Sequence, residues 1–367
     1  MKVALVHDYF NQIGGAERTF LELHGLFGKD ASVYTILSDP EILKKLQLKN
    51  VKSFIKHFPF DHRYALPFFP IINKWIKIDN CDLLISDSHA YVKNIKKPAG
   101  SLHICYCYTP MRYAWDLKEF YLKNETTLMR PIVALWLRYI QRWDYQKTKK
   151  VDHLISISKN VQARIKKYYN RKSEVIYPPV DTAKYRIAKE KPKEFYLVVS
   201  RLISQKRVDL AVNACKTLNK ELIVLGNGPE KKRLEKIANK NIKILNIMGD
   251  DVIPYYQKCK GFLFCGEDDF GLTPVEAQAC GRPVIAFGKG GALESVIEGK
   301  TGHFFYEQAP EALAKAILEF ENMSFNPKTC RENAERFDVK IFRKKIKTFI
   351  EEKYKEFEDG KKKHNPT

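Results

Sequence analysis

Long hydrophobic runs are missing from this chain. No stretch of its 367 residues approaches the roughly 18 uninterrupted apolar residues that a membrane-crossing helix needs, which excludes a spanning helix. Met1 to Val6 is too short for a signal-peptide core and runs into His7 and Asp8, which suits a first strand. Cysteine is sparse: the eight residues lie singly, or as the Cys105, Cys107 pair whose spacing is that of one strand face. Without CxxC or paired metal spacing, a zinc knuckle is excluded and reduced thiols in a cytosol are expected. The glycines never fall as GxGxxG, so a dinucleotide fold is not indicated. No RNP sequence or recognition helix-turn-helix is visible, which argues against a nucleic-acid module. Acidic residues are in deficit, 43 against 64 Lys and Arg, for a net charge of +21. More than half of that excess lies before residue 186, which implies an acidic partner for that half: an anionic lipid surface, a diphosphate-linked substrate or nucleic acid.

What is present is an alternation of short apolar runs with helical patterns, the signature of parallel sheets covered on both faces. In the first half the runs are 2–6, 32–36, 82–86, 103–108, 153–157 and 174–177. The pattern restarts at 195–200 and continues through 222–225, 242–245, 262–265 and 284–287. Length and this restart predict an α/β protein of two domains, 1–188 and 189–338. The proline-containing, charged segment PPVDTAKYRIAKEKPKE, 178–194, forms the connection. A last helical pattern, 339–357, packs back on the first domain, and GKKKHNPT is a frayed tail.

The most informative segment is FLFCGEDDFGLTPVEAQACGRPVIAF, 262–287, which reads as strand, loop, helix, strand. Thr273, Pro274 and Glu276 fit an N-cap, a first-turn proline and the third helical position. A helix N-terminus just past a strand's carboxyl end attracts phosphate, while Asp268 and Glu276 are carboxylates suited to sugar hydroxyls. Read plainly, Glu276 only closes a capping box. The segment resembles the retaining, nucleotide-sugar-dependent glycosyltransferases of family 4. That resemblance implies the GT-B fold: two Rossmann-like, doubly wound parallel-sheet domains facing across a cleft. It also implies a donor site in the second domain, with Glu276 on the ribose and an acidic residue eight positions earlier on the transferred sugar. That position holds Asp268 where the family usually has Glu, with Glu267 just before it, so either carboxylate could touch the sugar. Phe270, Gly271 and Leu272 complete the donor loop.

Other segments fit the same frame. Gly14 and Gly15 precede a helical pattern and let backbone approach a ligand; the resemblance sets them against the donor diphosphate. In YLVVSRLISQKRVDLAV, 196–212, Arg201 and Lys206 follow a strand, at the end where open α/β sheets bind ligands. They match the family's diphosphate cations, and fixed cations stabilise the charge that develops on a leaving diphosphate. The loops of LIVLGNGP, 222–229, with Gly226, and MGDDVIPYY, 248–256, would close around the base; they do not decide between UDP and GDP.

On the acceptor side, the central loop reads HICYCYTPMRYAWD, 103–116. Many relatives carry His where this chain has Tyr108. Tyrosine, with a pKa of about 10, hydrogen-bonds but does not take up a proton near neutrality. His7, Asp8, Arg112 and Asp116 are the remaining groups expected to line the acceptor side, Arg112 suiting an acceptor phosphate. Two aromatic and basic stretches, 54–77 and 129–143, could touch lipid. In the second, Ile132, Leu135, Trp136, Tyr139, Ile140 and Trp143 share a face, which fits an interfacial helix or equally a helix packed on its own sheet. No cofactor and no metal are expected. The partners are a GDP- or UDP-linked sugar and a saccharide or lipid-diphosphate-linked acceptor, with peripheral contact to an anionic membrane on the cytoplasmic side. The reading is a retaining hexosyltransferase, mannose favoured. Its rivals are a non-catalytic polyanion or nucleic-acid binder and another GT-B enzyme, such as a phosphorylase or an epimerase.

Overall fold

The computed structural model describes residues 1–55 and 69–364; most of the 54–77 stretch lies outside them. The chain forms two compact units, residues 1–177 with 343–367, and residues 178–342. The first is built on a seven-stranded sheet: β1 Val3–Phe10, β2 Ser32–Ser38, β3 Lys52–Ile55, β4 Leu83–Ser88, β5 Leu102–Cys107, β6 His153–Ser156 and β7 Glu174–Val175. All pairings are parallel, in the order β3-β2-β1-β4-β5-β6-β7. The second unit repeats the scheme with β8 Phe195–Val199, β9 Glu221–Leu225, β10 Ile242–Leu245, β11 Gly261–Phe264, β12 Val284–Phe287 and β13 Gly302–Phe305. Its order is β10-β9-β8-β11-β12-β13, again all parallel.

Burial on both faces explains why the central strands read as unbroken apolar runs. In the second unit Val198, Val224, Leu263 and Ile285 pack with Val208, Ala211 and Val212 of helix Val208–Thr217 and with Leu313, Ile317 and Phe320 of helix Pro310–Glu321. Each of the Val, Leu, Ile and Phe side chains among them contributes about 1.5–3 kcal/mol on leaving water. All eight cysteines are buried free thiols. Burial raises Cys215, Cys259, Cys280 and Cys330 to about 12, so they remain protonated and unreactive.

Four sequence expectations are corrected. The division falls at Tyr177/Pro178 and not near 188, because the connection is bound into the second unit. Val180 N–H donates to the Phe337 carbonyl, Thr182 Oγ1 to Asp338, and Tyr185 packs edge-on against Tyr256. The last helix runs Val339–His364, so Gly360–His364, expected in a frayed tail, are helical. Strand β1 continues through His7 and Asp8 to Phe10. Strands β3 and β13 were not expected; both are four-residue edge strands, one half-exposed and one opening on glycine, where the apolar signal is weakest.

The first unit carries one fully buried ionic centre away from the strand ends. Lys93 and Asp144 are both completely enclosed, 3.5 Å apart. Asp144 also accepts from Asn94 Nδ2 at 2.7 Å, Trp115 Nε1 at 2.9 Å and the Tyr169 hydroxyl at 2.6 Å. Burial alone would lower the Lys93 pKa, but Asp144 and its other neighbours reverse this and raise it. Removing one partner of such a pair costs about 3–5 kcal/mol, because the other stays buried and unpaired. All four tryptophans, Trp75, Trp115, Trp136 and Trp143, belong to this unit, so their fluorescence reports its unfolding. Asp144→Ala is expected to lower the urea midpoint of the fluorescence transition by a loss of that size. An unchanged midpoint would show that the pair contributes nothing.

Candidate functional site

In each sheet the order of the strands reverses once, between β1 and β4 in the first unit and between β8 and β11 in the second. Connections leaving two such neighbours run to opposite sides, which opens a crevice at their carboxyl ends, where open α/β sheets bind ligands. The crevice of the second unit is lined by Val199, Ser200, Lys206, Phe264, Cys265 and Gly266.

Lys206 ends a short 3-10 turn, Ser204–Lys206, after β8, and Asp268 lies in the loop after β11. The Lys206 Nζ and an Asp268 carboxylate oxygen are 2.5 Å apart, both side chains partly exposed. Two residues singled out 62 positions apart therefore meet in one ion pair. Arg201 opens the same loop. Its path is fixed from below by Gly226: a Cβ there would stand 1.9 Å from the Ser200 carbonyl oxygen, and φ is +142°. A glycine at 226 is thus required by the loop that carries Arg201. Beyond Asp268 the loop is fastened by Gly291 N–H to the Asp268 carbonyl at 2.9 Å, and Glu267 pairs with Lys289 at 3.1 Å.

Helix Leu272–Ala279 then begins, with Gly271 (φ +88°) as N-cap and no side-chain cap. The capping box expected from Thr273 and Glu276 is absent, because the helix starts one residue earlier than Thr273. Leu272 is half-buried in the first turn. Glu276, 2% exposed, accepts from the Tyr256 hydroxyl at 2.9 Å. Phe270, expected against the donor, is instead buried with its ring centroid 5.2 Å from that of Phe337, so its side chain serves packing.

In the first unit the crevice residues form a charge network. His7 and Asp87 face each other on β1 and β4, with His7 Nδ1 2.7 Å from Asp87 Oδ2 and its Nε2 3.8 Å from Glu17 Oε1. Glu17 Oε2 accepts from Gly14 N–H at 2.7 Å, so the Gly14, Gly15 turn that starts helix Gly15–Phe27 is tied back to His7. Burial alone would lower the His7 pKa, but Asp87 and Glu17 outweigh it and raise it to about 10. Burial raises Asp87, while Glu17 ends lowered because His7 overcomes its desolvation.

Asp8 is also completely buried. It accepts backbone N–H groups from His89 to Val92 at 2.7–2.9 Å and the Ser88 hydroxyl at 3.0 Å. His7 and Asp8 are therefore corrected from open acceptor ligands to interior supports. Asp116 pairs with Arg164 at 2.8 Å, and Tyr108, 8% exposed, donates to the Ala16 carbonyl at 3.0 Å. Arg112 is half-buried in a turn closed by Leu117 N–H to its carbonyl. Sequence reasoning missed His89, which is 36% exposed with Nδ1 3.5 Å from Asp8 and its ring edge-on to Tyr9 and Tyr108. Its signal was ISDSHA, polar residues closing an apolar strand. Tyr256, Lys289, Glu17 and Asp87 were missed without such a signal. Among the described residues no three His, Cys, Asp or Glu side chains are grouped to hold a metal ion.

The family model described as Glycosyltransferase Family 4 matches residues 13–184, and that described as Glycosyl transferases group 1 matches 180–337. The chain belongs to these glycosyltransferases. An uncharacterized glycosyltransferase of Methanocaldococcus jannaschii is 29% identical over 218 residues, 58% of this chain and 62% of its own length. The alpha-1,3/1,6-mannosyltransferase ALG2 of Candida glabrata is 21% identical over 95% of this chain and 91% of its own. Among solved structures, Anabaena Alr3699/HepE in complex with UDP and glucose superposes with a TM-score of 0.74 at 18% identity, covering 96% of this glycosyltransferase and 99% of that chain. The fold is GT-B.

A histidine whose folded pKa lies above its unfolded value stabilises the fold fully below the unfolded pKa, about 6.5, and loses that contribution as pH rises toward the folded one. The first unit is therefore expected to lose stability between about pH 6.5 and 10, by tryptophan fluorescence in urea. His7→Gln should flatten that decline; an identical profile in the variant would show that His7 is not the cause.

Proposed function

We propose that this glycosyltransferase moves a hexose, mannose favoured, from a UDP- or GDP-linked donor to a saccharide or lipid-diphosphate-linked acceptor, with retention of configuration. The single observation that carries the reading is the contact of Lys206 with Asp268 at the strand-order reversal. A cation and a carboxylate side by side suit the two ends of the bond that breaks, diphosphate oxygen on one side and sugar hydroxyls on the other. Lys206 and Arg201, with the N-terminus of helix Leu272–Ala279, stabilise the departing diphosphate. Asp268 or Glu267 orients the sugar, and Glu276, fixed by Tyr256, addresses the ribose.

In the step itself the anomeric carbon–phosphate oxygen bond breaks as the acceptor oxygen bonds to the same face of that carbon. The acceptor proton passes to the leaving phosphate oxygen, and no protein nucleophile takes part. Arg112 is assigned to an acceptor phosphate. Preference for mannose draws on the likeness to ALG2, and a UDP donor on the likeness to Alr3699/HepE. A lipid-linked acceptor calls for peripheral attachment to an anionic membrane.

Donors are ranked by thermal shift with GDP-mannose and UDP-glucose, and turnover is followed as nucleotide diphosphate release. Lys206→Ala is expected to lower kcat by about 10²–10³, as loss of a preorganised donor to a developing anion does, with an unchanged unfolding profile. Activity within threefold of the parent, on the order of 0.6 kcal/mol in barrier, would remove the leaving-group assignment.

A further inference from the structure

Helix Arg130–Thr148 turns one face inward, burying Leu137, Ile140, Trp143, Asp144 and Thr148. Its opposite face is apolar too, yet open: Ile132 is 60% exposed, Leu135 70% and Tyr139 51%, with Leu128 just before the helix at 81%. Spacings of four, three and four residues align these four in a single stripe. Packing on the sheet therefore explains one face of this helix and leaves the second unexplained. Exposed apolar surface of this kind on a monomer marks an interaction site.

Charge identifies the occupant. Residues 118–150 carry eight Lys and Arg against three acids, a net +5, and one of those acids, Asp144, is buried. Arg130, Arg138 and Arg142 are exposed on the helix itself, Arg138 and Arg142 to one side of the stripe. Lys147 has its pKa lowered first by burial and then by the like charges of Lys150 and Lys74. Lys74 lies next to Trp75, which is 67% exposed. An apolar stripe flanked by uncompensated cations matches the boundary between acyl chains and anionic headgroups.

We infer that the open face of helix Arg130–Thr148, with Leu128, docks the protein on an anionic lipid surface. This deepens the peripheral attachment proposed above. Its test reads vesicle binding without turnover, so failure here leaves the transferase reading standing. The full chain is sedimented with phosphatidylcholine vesicles, with or without phosphatidylglycerol. Binding is expected with phosphatidylglycerol, to weaken with salt, and to fall at least tenfold in Ile132→Ser/Leu135→Ser/Tyr139→Ser and in Arg138→Glu/Arg142→Glu. All five positions are exposed, and unchanged tryptophan unfolding curves confirm that both variants fold. Absence of binding to phosphatidylglycerol vesicles overturns the inference, as does binding that survives both variants. Reversible self-association abolished by the serine variant, without vesicle binding, would assign the face to a second copy of this chain and overturns it equally.

Discussion

Parallel strands joined by right-handed crossovers force the architecture of both units. As long as successive strands add on one side, the helices follow one another over one face; when the order turns back, two neighbouring strand ends lose that cover. Each sheet makes this turn once, at β1/β4 and at β8/β11. The residues with chemistry to offer collect there: Lys206 and Asp268 in the second unit, His7, Asp8, Asp87 and His89 in the first. Apolar packing elsewhere fixes the strands, and the strands fix the spacing of these groups.

The two crevices solve the problem of charge differently. In the second unit the ions are partly exposed, so a ligand can reach them. In the first they are interior: His7 outweighs the burial of Glu17, while burial still prevails at Asp87. The Glu17 carboxylate then holds the amide of Gly14, so the glycine turn is placed by a buried charge and not by its own sequence alone. Asp8 does the equivalent for the segment from His89 to Val92, gathering its amides, and so supports the partly exposed imidazole of His89.

Much of this was legible in the sequence, for physical reasons. Strands buried on both faces read as apolar runs, so Val284–Phe287 was found to the residue, whereas the edge strands Lys52–Ile55 and Gly302–Phe305 lack that signature. The meeting of Lys206 with Asp268 follows from a reading the sequence allows, since each lies just past the carboxyl end of an apolar run. The polar interior was not legible: His7 and Asp8 look like loop residues until their partners, 80 positions away, are known. The Phe270 ring was expected against the donor for the same reason, since sequence does not reveal that it packs against Phe337. The helix at 130–148 was ambiguous because both of its faces are apolar, and only its exposure separates them.

The central claim is that the strand ends of β8 and β11 hold the diphosphate of the donor. Amide hydrogen exchange of the whole chain, with and without UDP or GDP, tests it most directly. Slowed exchange is expected in the loop of residues 200–207 and across 266–274, where backbone N–H groups meet the anion. Protection confined to other loops, with those two segments unchanged, would contradict it.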